Sequence, residues 1–321
     1  MGEFDLIARF FTRPVRQAVL GVGDDCALLQ QQPGMQLAVS SDMLVDGRHF
    51  LSTTLPSRLG HKALAVNLSD LAACGAKPLA FTLALALPQI DEAWLQGFSQ
   101  GLWALADAHG CELIGGDTTL GPLNICITVL GEVPPGDALL RQHAQLGDDI
   151  YVSGTVGDAR LALEVLRGNL RLEAEHFEAA RMRMEQPTPR VALGLALRGL
   201  ANAAIDISDG LVGDLGHVLK RSKLGGVLTT AWVADSAAIS PAMQSLPMNR
   251  RLDFALAGGD DYELLFTAAP DQADAVQEAA NDCGVAVTCI GRITHTPGLQ
   301  VLDLQGTPMS RRFASYDHFA H

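Results

Sequence analysis

The chain has 321 residues, of which 48% are hydrophobic and 18% charged, and its formal net charge is −13. That length is long for one core and predicts two domains, and the apolar share is enough to bury both. Lysine occurs only at Lys62, Lys77, Lys220 and Lys223. The acidic balance therefore excludes a general nucleic-acid surface, which needs clustered Lys and Arg.

In chain order, Phe4 to Phe11 carries apolar residues at helical spacing and predicts a short amphipathic helix before Pro14. A strand from Met35 to Ser40 leads to Asp42. Ser57 to Ala73 reads as a helix, with Gly75 as its stop and Pro78 just beyond. Phe81 to Leu87 is a strongly apolar strand, and Asp91-Glu92 opens a helix that runs to His109 and stops at Gly110. Strand Cys111 to Ile114 leads into Gly115-Gly116-Asp117, and strand Leu123 to Val133 is broken by Pro134-Pro135-Gly136. That break divides an amino-terminal domain, 1–136, from a carboxy-terminal one, 137–321.

The second part begins with strand Ile150 to Val152, followed by helices Ala159 to Leu166, Glu173 to Arg183, Pro189 to Ala201 and Leu211 to Arg221. Strands Val227 to Trp232 and Tyr262 to Thr267, helix Gln272 to Cys283 and strand Val285 to Ile293 complete it. Strands separated by helices of this length indicate an α/β layer in the first part and an α+β pattern in the second. The cysteines include no Cys-x-x-Cys pair, which reads as free thiols in a reducing compartment. The amino terminus lacks a basic region followed by an apolar core, and the longest apolar run, Leu79 to Leu87, is too short to span a bilayer. These features predict a soluble cytoplasmic protein without a membrane partner.

The chemistry lies in a recurring form: an apolar run, then a small residue, then Asp. It occurs at Gly21-Val22-Gly23-Asp24-Asp25, Ser40-Ser41-Asp42, Gly115-Gly116-Asp117, Asp206-Ile207-Ser208-Asp209-Gly210 and Gly258-Gly259-Asp260-Asp261, with Asn67, Ser69 and Asp70 late in a helix. Each alone is an ordinary solvated turn, but six in one chain point to a shared acidic cleft. Asp70 would face the negative end of its helix dipole, an unfavourable placement unless a cation is nearby. No Gly-x-x-x-x-Gly-Lys-Ser/Thr loop, protein-kinase motif set or Gly-x-Ser-x-Gly elbow occurs, and the histidines do not pair at zinc spacing. Carboxylates, hydroxyls and backbone amides remain, which suit magnesium and phosphate; the metal lets an acidic protein hold an anion.

Together with Ala63-Leu64-Ala65-Val66-Asn67-Leu68-Ser69-Asp70-Leu71 and Tyr262-Glu263-Leu264, these stretches resemble the thiamine-monophosphate kinases, in order from about Glu3 to Phe319. The resemblance implies the aminoimidazole-ribonucleotide-synthetase-like fold, in which the amino-terminal sheet completes a barrel across a homodimer. It also implies phosphorylation of thiamine monophosphate by ATP with Mg²⁺, giving thiamine diphosphate. The implied metal ligands are Asp25, Ser40, Ser41, Asp42, Asp70, Asp117, Asp206 and Asp209, with Asp70, Asp117 and Asp209 catalytic. Nucleotide contacts fall on Gly116, Asp117, Arg141 and Ser208, and substrate contacts on His49, Asp260 and Phe313. Two departures bear on the substrate pocket: Asp260 stands where the family has Glu, and Phe313 where some relatives have Trp. Asp24, Asp46 and Asp261 read as neighbours that orient the ligands. Phe313 also reads as a terminal anchor packed on the core with Tyr316 and Phe319.

Two rival readings are another ATP-dependent synthetase of the same fold and a non-catalytic Mg²⁺ or nucleotide sensor. A selenophosphate-forming enzyme would need a reactive Cys with a nearby Lys close to the amino terminus, and none precedes Cys26. A truncated acidic set would favour a sensor, yet every acidic cluster is present.

Overall fold

The computed structural model describes residues 2–316; Phe319, where the resemblance ends, lies outside the described residues. The chain divides into two compact units. One holds the residues up to Leu71 together with Ala76–Gly136, and the other holds Ala72–Gly75 and the chain from Asp137 onward.

The first unit opens with α1 (Glu3–Leu6), which passes directly into a π-helical turn over Ile7–Phe11. Two short strands, β1 (Ala18–Leu20) and β2 (Leu28–Leu29), form a small antiparallel pair. The main sheet follows: β3 (Gln36–Val45), helix α2 (Pro56–Ala73), β4 (Lys77–Leu87), helix α3 (Glu92–His109), β5 (Glu112–Leu120) and β6 (Asn124–Val133). Its strand order is β3-β6-β4-β5, with β4 and β5 parallel and β6 antiparallel to both its neighbours. Parallel strands need a helical crossover, and α3 supplies it between β4 and β5. Asp91 caps α3 by accepting the Ala93 and Trp94 amides, each at 3.0 Å, and Gly110 ends it in the left-handed conformation. Leu64, Leu68 and Leu71 of α2, Phe81 and Leu85 of β4, Phe98 and Leu102 of α3 and Ile125 of β6 are all buried.

Two strands run further than their patterns indicate. Strand β3 continues to Val45, so Ser40, Ser41 and Asp42 lie inside it, and β5 continues through Gly115, Gly116 and Asp117 to Leu120. Glycine and aspartate read locally as strand ends, but pairing with β6 and β4 carries the chain on through them.

The second unit contains β7 (Asp149–Ser153), α4 (Asp158–Leu166), α5 (Ala174–Glu185), α6 (Val191–Ala196), β8 (Ala201–Asp206), α7 (Leu211–Ser222) and β9 (Gly225–Thr229). Helices α8 (Ala231–Ala234), α9 (Pro241–Gln244) and α10 (Met248–Ala257) precede β10 (Leu264–Ala268), α11 (Ala273–Asp282), β11 (Val287–Thr294) and β12 (Gly298–Leu302). The sheet order is β12-β9-β11-β7-β10-β8, antiparallel except for the β12–β9 pair. Helix α6 is shorter than the predicted Pro189 to Ala201, because Ala201 already pairs with Ala268 as the first residue of β8. Trp232 sits in α8 rather than at the end of a strand, buried in the core of this unit.

Candidate active site

In the first unit, Asp24 and Asp25 from the loop between β1 and β2 meet Gly115, Gly116 and Asp117 of β5 at one cleft. Thr82 and Leu83 of β4 and Phe4, Ile7 and Phe11 of the amino-terminal segment complete a cavity of about 590 Å³. Gly116 has φ +148, and a Cβ there would stand 1.8 Å from the Leu83 carbonyl oxygen. Only glycine lets β5 pass this close to β4. The Asp25 amide donates to Asp24 Oδ1 at 2.8 Å, and both carboxylates, like that of Asp117, belong to exposed residues.

A second group joins β3 to α2. Ser40 Oγ donates to Asp70 Oδ2 at 2.5 Å. The Asp42 amide donates to Asn67 Oδ1 and Asn67 Nδ2 donates to the Ala63 carbonyl, each at 3.0 Å, so buried Asn67 clamps strand to helix. Asp70 occupies the last turn of α2, half-buried, at the negative end of the dipole. Ser41 lies on the opposite face of the sheet, as strand alternation requires. Its hydroxyl is 2.9 Å from Thr128 Oγ1 and 3.6 Å from Cys126 Sγ. Ser40 is therefore brought to Asp70, and the Ser41 side chain is not. At the end of β3, His49 Nδ1 accepts the Val45 amide at 3.0 Å, which fixes the ring against the strand and leaves the proton of a neutral imidazole on Nε2.

In the second unit, Asp206 is buried at the end of β8, opposite Leu264. The amides of Ser208, Asp209 and Gly210 then all donate to Asp214 Oδ2, at 3.1, 3.2 and 3.1 Å. Burial, with the Asp209 charge second, pushes the Asp214 carboxyl up to about 7 against the pull of those amides. This loop is zipped to the next acidic one: Asp260 donates to the Ser208 carbonyl at 2.7 Å, Tyr262 to that of Ile207 at 2.9 Å, and Ile207 to that of Glu263 at 2.8 Å. Gly259 (φ +70) comes so near Ser208 that a Cβ would be 2.7 Å from its carbonyl oxygen.

Asp260 and Tyr262 hold left-handed backbone, φ +64 and +51, at a cost of about 1–3 kcal/mol each. The residues around them hold that geometry in place. Asp261 turns inward, and both its oxygens lie 3.0 Å from the Gly157 amide. Glu263, fully buried, accepts from Ser153 Oγ at 2.5 Å, from Arg190 Nε at 2.6 Å and from Arg183. Burial lifts the Asp261 carboxyl well above its usual range, and that of Asp158 upward as well. The carboxy-terminal segment crosses the Asp209 loop, where the Tyr316 amide donates to the Asp209 carbonyl at 2.9 Å. Phe313 packs on the core of this unit with the Arg311 guanidinium 5.3 Å from its ring centroid. Arg141 is exposed, and its carbonyl accepts Ser222 Oγ at 3.1 Å.

The sequence gives no role to Asp214, Arg183 or Arg190, and it names Glu263 only within the Tyr262-Glu263-Leu264 stretch. Asp214 had a local signal, an acid in the first turn of a helix. The arginines reach Glu263 across 80 and 73 residues, and no local pattern reports such a pairing.

The donors in both units are hard oxygens from Asp and Ser. Among the described residues no three His, Cys, Asp or Glu side chains gather into a closed metal cage. The donor chemistry fits Mg²⁺, which takes one or two protein carboxylates and completes its octahedron with water and phosphate oxygens.

Residues 23–133 match the family model for AIR synthase related protein, N-terminal domain, and residues 145–303 match that for its C-terminal domain. Fold and acidic loops thus define a two-domain α/β protein of the AIR synthase class. Over 324 residues the chain is 46% identical to the thiamine-monophosphate kinase of Escherichia coli, covering 99% of this chain and 98% of that one. The Haemophilus influenzae enzyme is 41% identical over the same shares of the two chains. The thiamine-monophosphate kinase structure from Stenotrophomonas maltophilia aligns with TM-score 0.85 and 47% identity, over 95% of this chain and 96% of that one. AaThiL complexed with AMPPCP and TMP aligns with TM-score 0.76 and 29% identity, over 99% and 97%. Hydrogenase maturation protein HypE in complex with ATP, at 18% identity and TM-score 0.79, shares the fold alone. The chain belongs to the thiamine-monophosphate kinase family.

Proposed function

We propose that this chain transfers the γ-phosphoryl group of ATP to the phosphate of thiamine monophosphate, forming thiamine diphosphate and ADP with Mg²⁺ as the metal. The observation that carries the reading is the first unit's cleft, where a glycine floor at Gly115-Gly116 lies among the carboxylates of Asp24, Asp25 and Asp117. A glycine floor lets phosphate oxygens approach backbone, and carboxylates beside it serve only if cations lie between them and the phosphates.

In the reaction an oxygen of the acceptor phosphate bonds to the γ-phosphorus as the bond to the β-phosphate oxygen breaks, and ADP departs. The acceptor is already ionised near neutral pH, so no strong general base is required, and positioning with charge neutralisation supplies the catalysis. Bound Mg²⁺ would supply the charge neutralisation between the two phosphates. In this reading Asp25, Ser40, Asp42, Asp70, Asp117, Asp206 and Asp209 hold the metal, with Ser41 restricted to main-chain atoms by its orientation. Asp70, Asp117 and Asp209 are assigned the catalytic role. Gly116, Asp117, Ser208 and Arg141 contact the nucleotide, and the Arg141 fork suits phosphate. His49, Asp260 and Phe313 contact the thiamine substrate.

We assign 1–136 as the ATP, Mg²⁺ and dimerisation domain, 137–321 as its α/β companion, and the cytoplasm as the compartment. A homodimer with a barrel shared between subunits is supported by the outer face of β3, which leaves Leu37 45%, Val39 58% and Met43 53% exposed. An acceptor comparison tests the activity: ADP release with thiamine monophosphate, with thiamine and with neither. Release dependent on the monophosphate alone is expected, and equal release in all three would defeat the reading.

A further inference from the structure

The loop Ser208-Asp209-Gly210, just before α7, has the makings of an anion cradle: successive amides at a helix amino terminus, where phosphates commonly bind. Here those amides already have a partner. Asp214, one turn into α7 and buried, places a single oxygen 3.1, 3.2 and 3.1 Å from the three nitrogens. The loop therefore offers a ligand its side chains, and its amides are turned inward.

On the other side the Ser208 carbonyl accepts the Asp260 amide at 2.7 Å and the Asp209 carbonyl accepts the Tyr316 amide at 2.9 Å. With amides and carbonyls both committed, the Asp209 main chain is held in place, which fixes the point and direction from which its half-buried side chain leaves the loop. From this geometry we infer that Asp214 is a positioning residue, an internal carboxylate that occupies the place of a phosphate and thereby aims the Asp209 side chain at the metal. The inference rests on the proposed role of Asp209 as a metal ligand.

It predicts an effect on metal use that a merely structural residue would not produce. In D214N, compared at pH 8 with the ionised parent, the acceptor survives but loses its charge, weakening all three bonds, since charge-assisted hydrogen bonds are roughly twice as strong as neutral ones. D214A removes the acceptor altogether. Three variants, D214N, D214A and D209N, are compared by the Mg²⁺ concentration for half-maximal activity, the KM for thiamine monophosphate, and Mn²⁺ binding in the presence of AMPPCP followed by electron paramagnetic resonance. Hydrogen exchange at the 208–210 amides reports the anchor directly without metal.

The expected result is a rise in half-saturating Mg²⁺ of about threefold in D214N and about tenfold in D214A, with matching losses of Mn²⁺ affinity and faster amide exchange. The KM for thiamine monophosphate should stay within about twofold of the parent. A folded D214A with parental metal dependence overturns the inference. If D214A does not fold, D214N decides, and parental metal dependence there overturns it equally. D209N separates the premises: unchanged metal binding in D209N removes the ligand role of Asp209, whereas loss in D209N with none in the Asp214 variants leaves that role and defeats only the positioning one.

Discussion

Replacing Asp70 by Asn changes one atom at the end of α2 and should separate stability from activity. The Ser40 hydroxyl, 2.5 Å from Asp70 Oδ2, would exchange a charged acceptor for a neutral amide oxygen. Hydrogen bonds to charged groups contribute about 1.5–3 kcal/mol against about 0.5–1.5 for neutral ones, so this loss costs roughly 1 kcal/mol. Against it, the substitution removes a negative charge from the carboxy-terminal turn of a helix, which relieves about 0.3–1 kcal/mol of repulsion. The two nearly cancel, and Tm should move by no more than about 3 °C. If Asp70 acts on the transferring phosphoryl group through the metal, the loss in kcat should be on the order of 10²–10³, comparable to removing one transition-state contact. Calorimetry and steady-state kinetics on the same preparation read both numbers. A kcat within about threefold of the parent would refute the reasoning, as would an activity loss that merely follows a drop in Tm.

Gly116→Ala should cost about 2 kcal/mol or more and weaken nucleotide binding, because its methyl would stand 1.8 Å from the Leu83 carbonyl oxygen; parental stability and parental AMPPCP affinity by calorimetry would contradict this. Burial holds the Asp261 carboxyl well above its ordinary 3.8, so the folded state binds that proton more tightly than the unfolded one. That contribution is fully present below 3.8 and is lost as pH rises through the folded value. The Tm of D261N minus that of the parent should therefore grow between pH 5 and pH 8, and a constant difference would count against the buried carboxyl as its cause. Phe313→Ala should raise the KM for thiamine monophosphate more than that for ATP; equal effects would leave Phe313 as packing beneath Arg311. Val39→Asp, on the exposed face of β3, should convert a dimer to monomer in analytical ultracentrifugation, and an unchanged sedimentation coefficient would move the interface elsewhere.

The helices of the first unit were legible because their ends carry strong local chemistry: Asp91 caps α3 through two amides, and Gly110 closes it in the left-handed region where a side chain is strained. The acidic stretches were legible as candidates for the same reason, since apolar run, small residue and Asp recur. Their surroundings were not. Whether Ser40 or Ser41 meets Asp70 depends on the register of β3 against β6, a property of pairing across some 90 residues of chain. The extension of β5 through two glycines depends on its parallel partner β4, and a glycine pair in isolation reads as a turn. Helices α8, α9 and α10 and strand β12 escaped the pattern reading, and most of these are too short to complete a hydrophobic period. The buried Glu263 cluster was illegible because tertiary contacts alone bring Arg183, Arg190 and Ser153 to one carboxylate.

The central claim is phosphoryl transfer from ATP to a phosphate acceptor. The most direct measurement follows the label from ATP radiolabelled at the γ-phosphorus, incubated with the purified chain, Mg²⁺ and thiamine monophosphate. The account predicts label in the terminal phosphate of thiamine diphosphate, with one ADP per product and no inorganic phosphate. Label released as inorganic phosphate, with thiamine monophosphate unchanged, would contradict it.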